Sequence, residues 1–226
     1  SSDVCSSDLC SSDLAVRGRI VAGVGTDQLP PGPATLAQVS RAYHEQLEDV
    51  LSAGAVPVLM CSRALAASAT GPDDYLALYG DLLAAADGPV LLHWLGPQFD
   101  PSLSGYWGSS DVDVQGNTVL SLIKEHADRV DGIKLSLLDA DFEVSFRRRL
   151  PAGVRMYTGD DFHYPELIEG DEHGYSDALL GIFAVIAPAA ASALLALDRG
   201  HPEVYRSIMD STVPLARRVF WPPTQY

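Results

Sequence analysis

The fold is decided by the stretch Val130-Asp131-Gly132-Ile133-Lys134-Leu135-Ser136-Leu137-Leu138. Residues 130–135 read as a strand, with a helical pattern over residues 118–129 leading into it and another over residues 143–150 following it. Working outward, five further short apolar or β-branched runs qualify as strands, at residues 19–24, 56–61, 89–95, 154–158 and 179–186. Helical patterns at residues 35–53 and 73–86 separate the first three. Such alternation is the signature of a parallel α/β architecture. Thr35-Leu36-Ala37-Gln38 opens the first helix as a capping box, and Gly54 closes it where a left-handed residue is wanted. Beyond the sixth run, Pro188 is expected to begin an alanine-rich helix that Gly200 ends, and His201-Pro202 to start another running toward Ser211.

Consecutive strand and helix units of this kind predict an incomplete TIM (β/α)8 barrel, with about six of its eight strands, followed by C-terminal helices. The feature that favours a barrel over a doubly wound sheet is the polar residues that crowd after almost every strand, as at a barrel's catalytic rim. Thr26-Asp27-Gln28 follows the first run and Ser62-Arg63 the second; His93-Trp94 lies within the third, Lys134 and Ser136 mark the fourth, and Gly159-Asp160-Asp161 follows the fifth. A doubly wound sheet would gather them at one switch point. Gly23-Val24-Gly25 lacks the third glycine of a dinucleotide fingerprint, and Pro30-Pro31 blocks the helix start that such a site needs.

Composition narrows the function classes. The chain has 226 residues, 30 acidic against 15 basic side chains and a formal charge of −15. That balance opposes a phosphate backbone, so neither nucleic acid nor an anionic membrane is an expected partner. No apolar run reaches the roughly 18 to 20 residues of a spanning helix. Residues 1–14 are a near-perfect repeat of Ser-Ser-Asp-Val/Leu-Cys with no core-forming pattern. The repeat resembles the in-frame translation of a sequencing-adapter oligonucleotide, the alternative being a flexible tail, and on either reading residues 15–226 form the domain. Cys5 and Cys10 then carry no meaning. Cys61 alone remains, which suits a reducing, cytoplasmic setting without disulfides.

Lysine usage points to a site. Only Lys124 and Lys134 occur among the 15 basic residues. Lys124 falls on the polar side of a helical stretch, whereas Lys134 lies within a strand that would carry it into the barrel. Desolvation there lowers an amine's pKa and frees a neutral nucleophile near pH 7, as Schiff-base formation requires. The bland alternative is a lysine that snorkels to pair with Asp131 or Asp139.

Three motifs in order extend this reading: Pro89-Val90-Leu91-Leu92-His93-Trp94, Asp131-Gly132-Ile133-Lys134 and Thr158-Gly159-Asp160-Asp161. With them the chain, over residues 18–226, resembles the dihydrodipicolinate synthase and N-acetylneuraminate lyase superfamily of class I aldolases. It is most similar to an uncharacterised branch carrying Gly25-Thr26-Asp27-Gln28-Leu29, His93-Trp94-Leu95-Gly96, Phe99-Asp100-Pro101 and Tyr157-Thr158-Gly159-Asp160-Asp161-Phe162. The resemblance implies that Lys134 is the Schiff-base lysine and that Thr158, in place of the usual serine, opens a pocket-lining turn with Gly159 and Asp160. His93 stands where the superfamily has a tyrosine, so it is the expected proton-transfer group. If residues 19–24 are the third barrel strand, the first two strands and their carboxylate-binding turn are lacking. Residues 222–226 then read as an interrupted connection, and such a fragment exposes two unpaired sheet edges.

The implied activity is a carbon–carbon lyase or synthase acting on a 2-oxo acid or related carbonyl, with no metal or organic cofactor and with a homo-oligomer open for the parent protein. Arg63 and Thr26 are candidates for substrate contacts, Arg63 for a carboxylate or phosphate. Asp160 and Asp161 either cap the following helix or divide the work, one binding substrate hydroxyls and one tuning the lysine. The set Asp160, Asp161, His163, Glu172, His173 and Asp177 has ligand chemistry for a divalent metal, which keeps a metal-dependent lyase or hydrolase as a second reading. A non-catalytic small-molecule-binding barrel is the third. Arg147-Arg148-Arg149 reads as a solvated helix face, and Trp94, Tyr106 and Trp107 as packing or pocket walls.

Overall fold

The computed structural model describes residues 20–30 and 32–222. The expectations for residues 1–14, for Arg19, for Pro31 and for residues 223–226 lie outside them. Six strands form one parallel sheet in chain order: β1 (Val21–Val24), β2 (Val56–Leu59), β3 (Val90–Leu95), β4 (Val130–Ser136), β5 (Arg155–Thr158) and β6 (Asp177–Ala178). Strand order equal to sequence order, with a helix in every connection, is the winding of a (β/α) barrel, here open between β1 and β6 among the described residues.

The connecting helices are α1 (Leu36–Ser52), α2 (Arg63–Ser68), α3 (Pro72–Ala85), α4 (Val112–Glu125), α5 (Ala140–Arg147) and α6 (Tyr164–Glu169), followed by α7 (Phe183–Asp198) and α8 (Pro202–Val219). The Thr35 capping box forms: its hydroxyl accepts from the Gln38 amide and its own amide donates to Gln38 Oε1. α4 begins six residues earlier than expected, because the Asp111 carboxylate accepts from the Asp113 and Val114 amides and starts the helix there. α2, between β2 and α3, was not legible as a separate helix. Ser62 caps it.

One expectation fails outright. Residues 179–186 do not form a strand; β6 is only Asp177–Ala178, and the chain enters α7 at Phe183. A short apolar run has no period of its own that separates a buried strand from a buried helix. Ile182 and Ile186 here pack with Tyr164 from α6 and with Tyr205 and Met209 from α8. Pro188 sits inside α7 rather than opening it, and the non-helical geometry of Ile186 (φ −108°, ψ 20°) marks the kink that accommodates it.

Two cores follow from this layout. The larger lies between the sheet and α1 to α5, and the smaller gathers α6, α7 and α8. Trp94 of β3 meets Phe142 and Phe146 of α5 edge to face at 5.7 and 6.0 Å. Tyr43, Tyr79, Tyr106 and Trp107 interlock behind β2, so Tyr106 and Trp107 are core. Since Trp94 and its register partner Leu135 face the helices, the strand positions beside them, His93 and Lys134, face the barrel interior. No helix of the described residues is long and apolar enough to cross a membrane.

Candidate functional site

The inner face of β4 presents Gly132, Lys134 and Ser136 by strict alternation. Lys134 is register partner of His93 on β3 and of Tyr157 on β5, and Tyr157 is in turn partner of Asp177 on β6. An irregularity between Val90 and Leu91 leaves Asp131 as an extra residue in β4. Asp131 is bound by both of its oxygens to Arg155 at 2.8 Å and accepts from the Tyr157 hydroxyl at 2.6 Å. Asp139 accepts from the Phe142 amide as the cap of α5. Both carboxylates that a snorkelling lysine would seek are thus engaged elsewhere. Lys134 stays partly buried on the inner face. Burial pushes its amine pKa below the ordinary lysine value, and the charge of Asp161 opposes that fall.

His93 is nine-tenths buried beside it. Its Nε2 lies 3.0 Å from Ser136 Oγ and its Nδ1 3.4 Å from Met60 Sδ. Burial, reinforced by the Lys134 charge, holds its pKa down to about 3, so the ring is neutral at physiological pH. A thioether is a weak acceptor, which favours the proton on Nδ1 and leaves Nε2 to accept from the serine hydroxyl.

The turn after β5 closes the site. Gly159 donates its amide to the Leu135 carbonyl at 2.7 Å, drawing the backbone onto β4. A Cβ at Gly159 would come within 2.8 Å of Lys134 Cε and still closer to Ser136 Oγ, so only glycine fits. Asp160 caps the next turn, accepting from the Phe162 and His163 amides and pairing with His163 Nδ1 at 2.9 Å. Asp161, also buried, accepts from the Ile182 amide at 2.7 Å and supplies the negative charge that Lys134 feels. Asp160 is thus a cap of the turn, and the Asp161 carboxylate is bound to Ile182 while its charge reaches Lys134.

The remaining expected site residues lie apart from this group. Thr158 points to the helix side of β5, where its hydroxyl donates to Glu143 at 3.2 Å. Thr26 bonds Ser62 Oγ at 2.6 Å and, with Asp27, Leu29, Arg63 and Ser102, lines an open cavity of about 510 Å³ beyond β1 and β2. Arg63 is largely exposed there and paired with Asp100. Because all strands are parallel, this cavity and Lys134 share the C-terminal rim.

Two groups were missed as site residues. Ser136 was legible, lying two residues after Lys134 on the same strand face. Glu143 had no local signal: its burial depends on Thr158 and Ser176, both far along the chain. Arg147 is a correction, since it is buried, not solvated. Its guanidinium reaches the Leu167 carbonyl, Ser176 Oγ and Asp171. The acidic set is not gathered either: Glu172 and His173 are exposed, and no group of three or more His, Cys, Asp and Glu side chains among the described residues could hold a metal ion.

Six parallel strands in chain order, with a helix in every connection and a partly buried lysine on the inner face of one strand, define an open (β/α) barrel. The chain belongs to the family described as "Protein of unknown function (DUF993)", whose model matches residues 6–226. No curated protein is significantly similar to it in sequence. Among solved structures it is similar to dihydrodipicolinate synthase from Aquifex aeolicus, with a TM-score of 0.68 at 15% identity over 96% of this chain and 64% of that one. The enzyme from Oceanobacillus iheyensis gives 0.66 at 16% over 93% and 60%. The chloride-inhibited enzyme from Acinetobacter baumannii, solved with pyruvate, gives 0.66 at 18% over 93% and 62%. The chain thus spans 60–64% of the length of these relatives. At such identities the likeness establishes the fold, which is the one expected from the three motifs.

Proposed function

We propose that the chain carries the lysine side of a Schiff-base-forming carbon–carbon lyase or synthase that takes a 2-oxo acid or related small carbonyl compound. The observation that carries this is the placement of Lys134: inner face, C-terminal half of its strand, amine pKa lowered by burial, with Asp161 as the nearby counter-charge.

In the proposed reaction the neutral Lys134 amine adds to the substrate carbonyl carbon. The carbinolamine oxygen takes a proton and leaves as water, giving an iminium. That iminium accepts the electron pair released when a bond to the neighbouring carbon breaks, or supplies it as the enamine when one forms. His93, neutral and hydrogen-bonded to Ser136, acts through that hydroxyl as proton acceptor and returns the proton in the reverse sense. The cavity holding Thr26 and Arg63 lies on the same rim and takes the polar end of a second substrate, with Arg63 meeting a carboxylate or phosphate.

The test is exchange of pyruvate methyl protons with deuterated water, followed by NMR. Enamine formation on Lys134 predicts exchange that Lys134→Ala abolishes and EDTA leaves unchanged. Exchange that survives Lys134→Ala but is lost in EDTA favours metal chemistry; ligand binding without exchange across a panel of 2-oxo acids favours a binding barrel. Either result overturns the proposal.

A further inference from the structure

Behind β5, on the side away from Lys134, lies a buried polar group that the reaction does not use. Glu143 of α5 is 3% exposed. Its Oε1 accepts from Ser176 Oγ at 2.7 Å and its Oε2 from Thr158 Oγ1 at 3.2 Å. The same Thr158 oxygen accepts from the Asp160 amide at 3.1 Å. From there the chain is continuous with the site: Gly159 is pressed against the Lys134 side chain, and Asp161 supplies its counter-charge. A carboxyl group costs several kcal/mol to bury unless its hydrogen bonds are made, so its presence here calls for a role that a leucine would not fill.

We propose that Glu143 is a positioning residue: through the Thr158 hydroxyl it fixes the Gly159–Asp161 turn against Lys134 and so governs how completely the lysine amine is kept from water. The inference rests on the reading of Lys134 as the reacting amine. Two geometric facts support it. Thr158 has one hydroxyl hydrogen, and spending it on Glu143 leaves the lone pairs of Oγ1 to receive Asp160 N–H. Ser176, the second partner, precedes β6 directly, so one carboxyl group ties both strands flanking the turn to α5. Burial, with the Asp160 charge acting in the same direction, outweighs the hydrogen bonds from Ser176 and Thr158 and the Arg147 charge and raises the Glu143 pKa to about 7.

Loosening the turn admits water to Lys134. Desolvation is the larger influence on that amine and Asp161 the smaller, so relief of burial raises its pKa and lowers the neutral fraction at pH 7.

The experiment is competitive acetylation with acetic anhydride from neutral to strongly alkaline pH, read peptide by peptide, with Lys124 as the internal standard. Thr158→Val removes only the hydroxyl and Glu143→Leu the carboxyl group; Glu143→Gln keeps one acceptor and is the conservative rescue. We expect the Lys134 midpoint to rise by about half to one unit in Thr158→Val and Glu143→Leu. Pyruvate trapping at pH 7 should slow by the corresponding three- to tenfold, with Glu143→Gln close to wild type and Lys124 unmoved. Should Glu143→Leu fail to fold, Thr158→Val carries the test alone. Midpoints that coincide with wild type in the folded variants overturn the inference. A wild type that gives no pyruvate adduct speaks against the class I reading instead, and the acetylation comparison still decides the role of Glu143.

Discussion

His93 and Lys134 are direct register partners across the β3–β4 pair, both facing the barrel interior, and the burial that keeps the imidazole neutral also depresses the amine. The Lys134 charge adds to the burial that disfavours a charge on His93. Two basic groups at one level of a barrel, both held toward their neutral forms, suit addition of an amine to a carbonyl with a proton acceptor alongside.

The first prediction follows from His93. Its folded pKa, about 3, lies below the ordinary histidine value of 6.5. The neutral ring thus contributes stability that is complete above pH 6.5 and is lost as the pH falls toward 3. The shift corresponds to roughly 3–5 kcal/mol. Thermal melts of His93→Gln should show a shallower loss of Tm on acidification from pH 6.5 to 4 than the wild type; parallel curves would mean that His93 titrates normally.

Glu143 carries the opposite sign. Its folded pKa, about 7, lies above the ordinary 4.5, so stability is highest below pH 4.5 and declines as the pH rises toward 7. Replacing it by Gln should flatten that decline, with a gain of about 1–2 kcal/mol at pH 7 relative to pH 4.5. Denaturant melts at the two pH values measure it, and an unchanged difference between them would contradict it.

Gly159→Ala tests the closeness of the turn to the lysine. The added methyl group meets Lys134 Cε and Ser136 Oγ, and overpacking of this kind costs about 1–3 kcal/mol. The variant should lose pyruvate trapping by more than tenfold while remaining folded by circular dichroism. Wild-type trapping would show that the turn does not press on Lys134.

Trp94→Ala opens a cavity against Phe142 and Phe146 on the helix side of the sheet. A loss of about 3–5 kcal/mol is expected in a denaturant melt. A cost below about 1 kcal/mol would contradict the packing of α5 on β3.

What the sequence disclosed depended on how local the determining physics is. β3, β4 and β5, α1 with its Thr35 cap, and the inward direction of Lys134 all follow from alternation, periodicity and capping over a few residues. The order of three short motifs then pointed to the right barrel fold. Residues 179–186 misled because their fate is set by packing on Tyr164, Tyr205 and Met209, which no local pattern encodes. Arg147 misled for the same reason: in sequence it is one of three adjacent arginines, and only the meeting of α5 with α6 and Ser176 buries it. Thr158 was placed correctly in its strand but assigned to the wrong face. It lies one residue after the inward-facing Tyr157, and period-two alternation sends it to Glu143.

The central claim is that Lys134 forms the covalent adduct, and its most direct test is reductive trapping with pyruvate and borohydride followed by peptide mass mapping. With only two lysines in the chain, the map is unambiguous. The account predicts a stable adduct on the peptide containing Lys134, none on the peptide containing Lys124, and none at all in Lys134→Ala. An adduct on Lys124 alone, or no adduct from any 2-oxo acid with the protein folded, would contradict it.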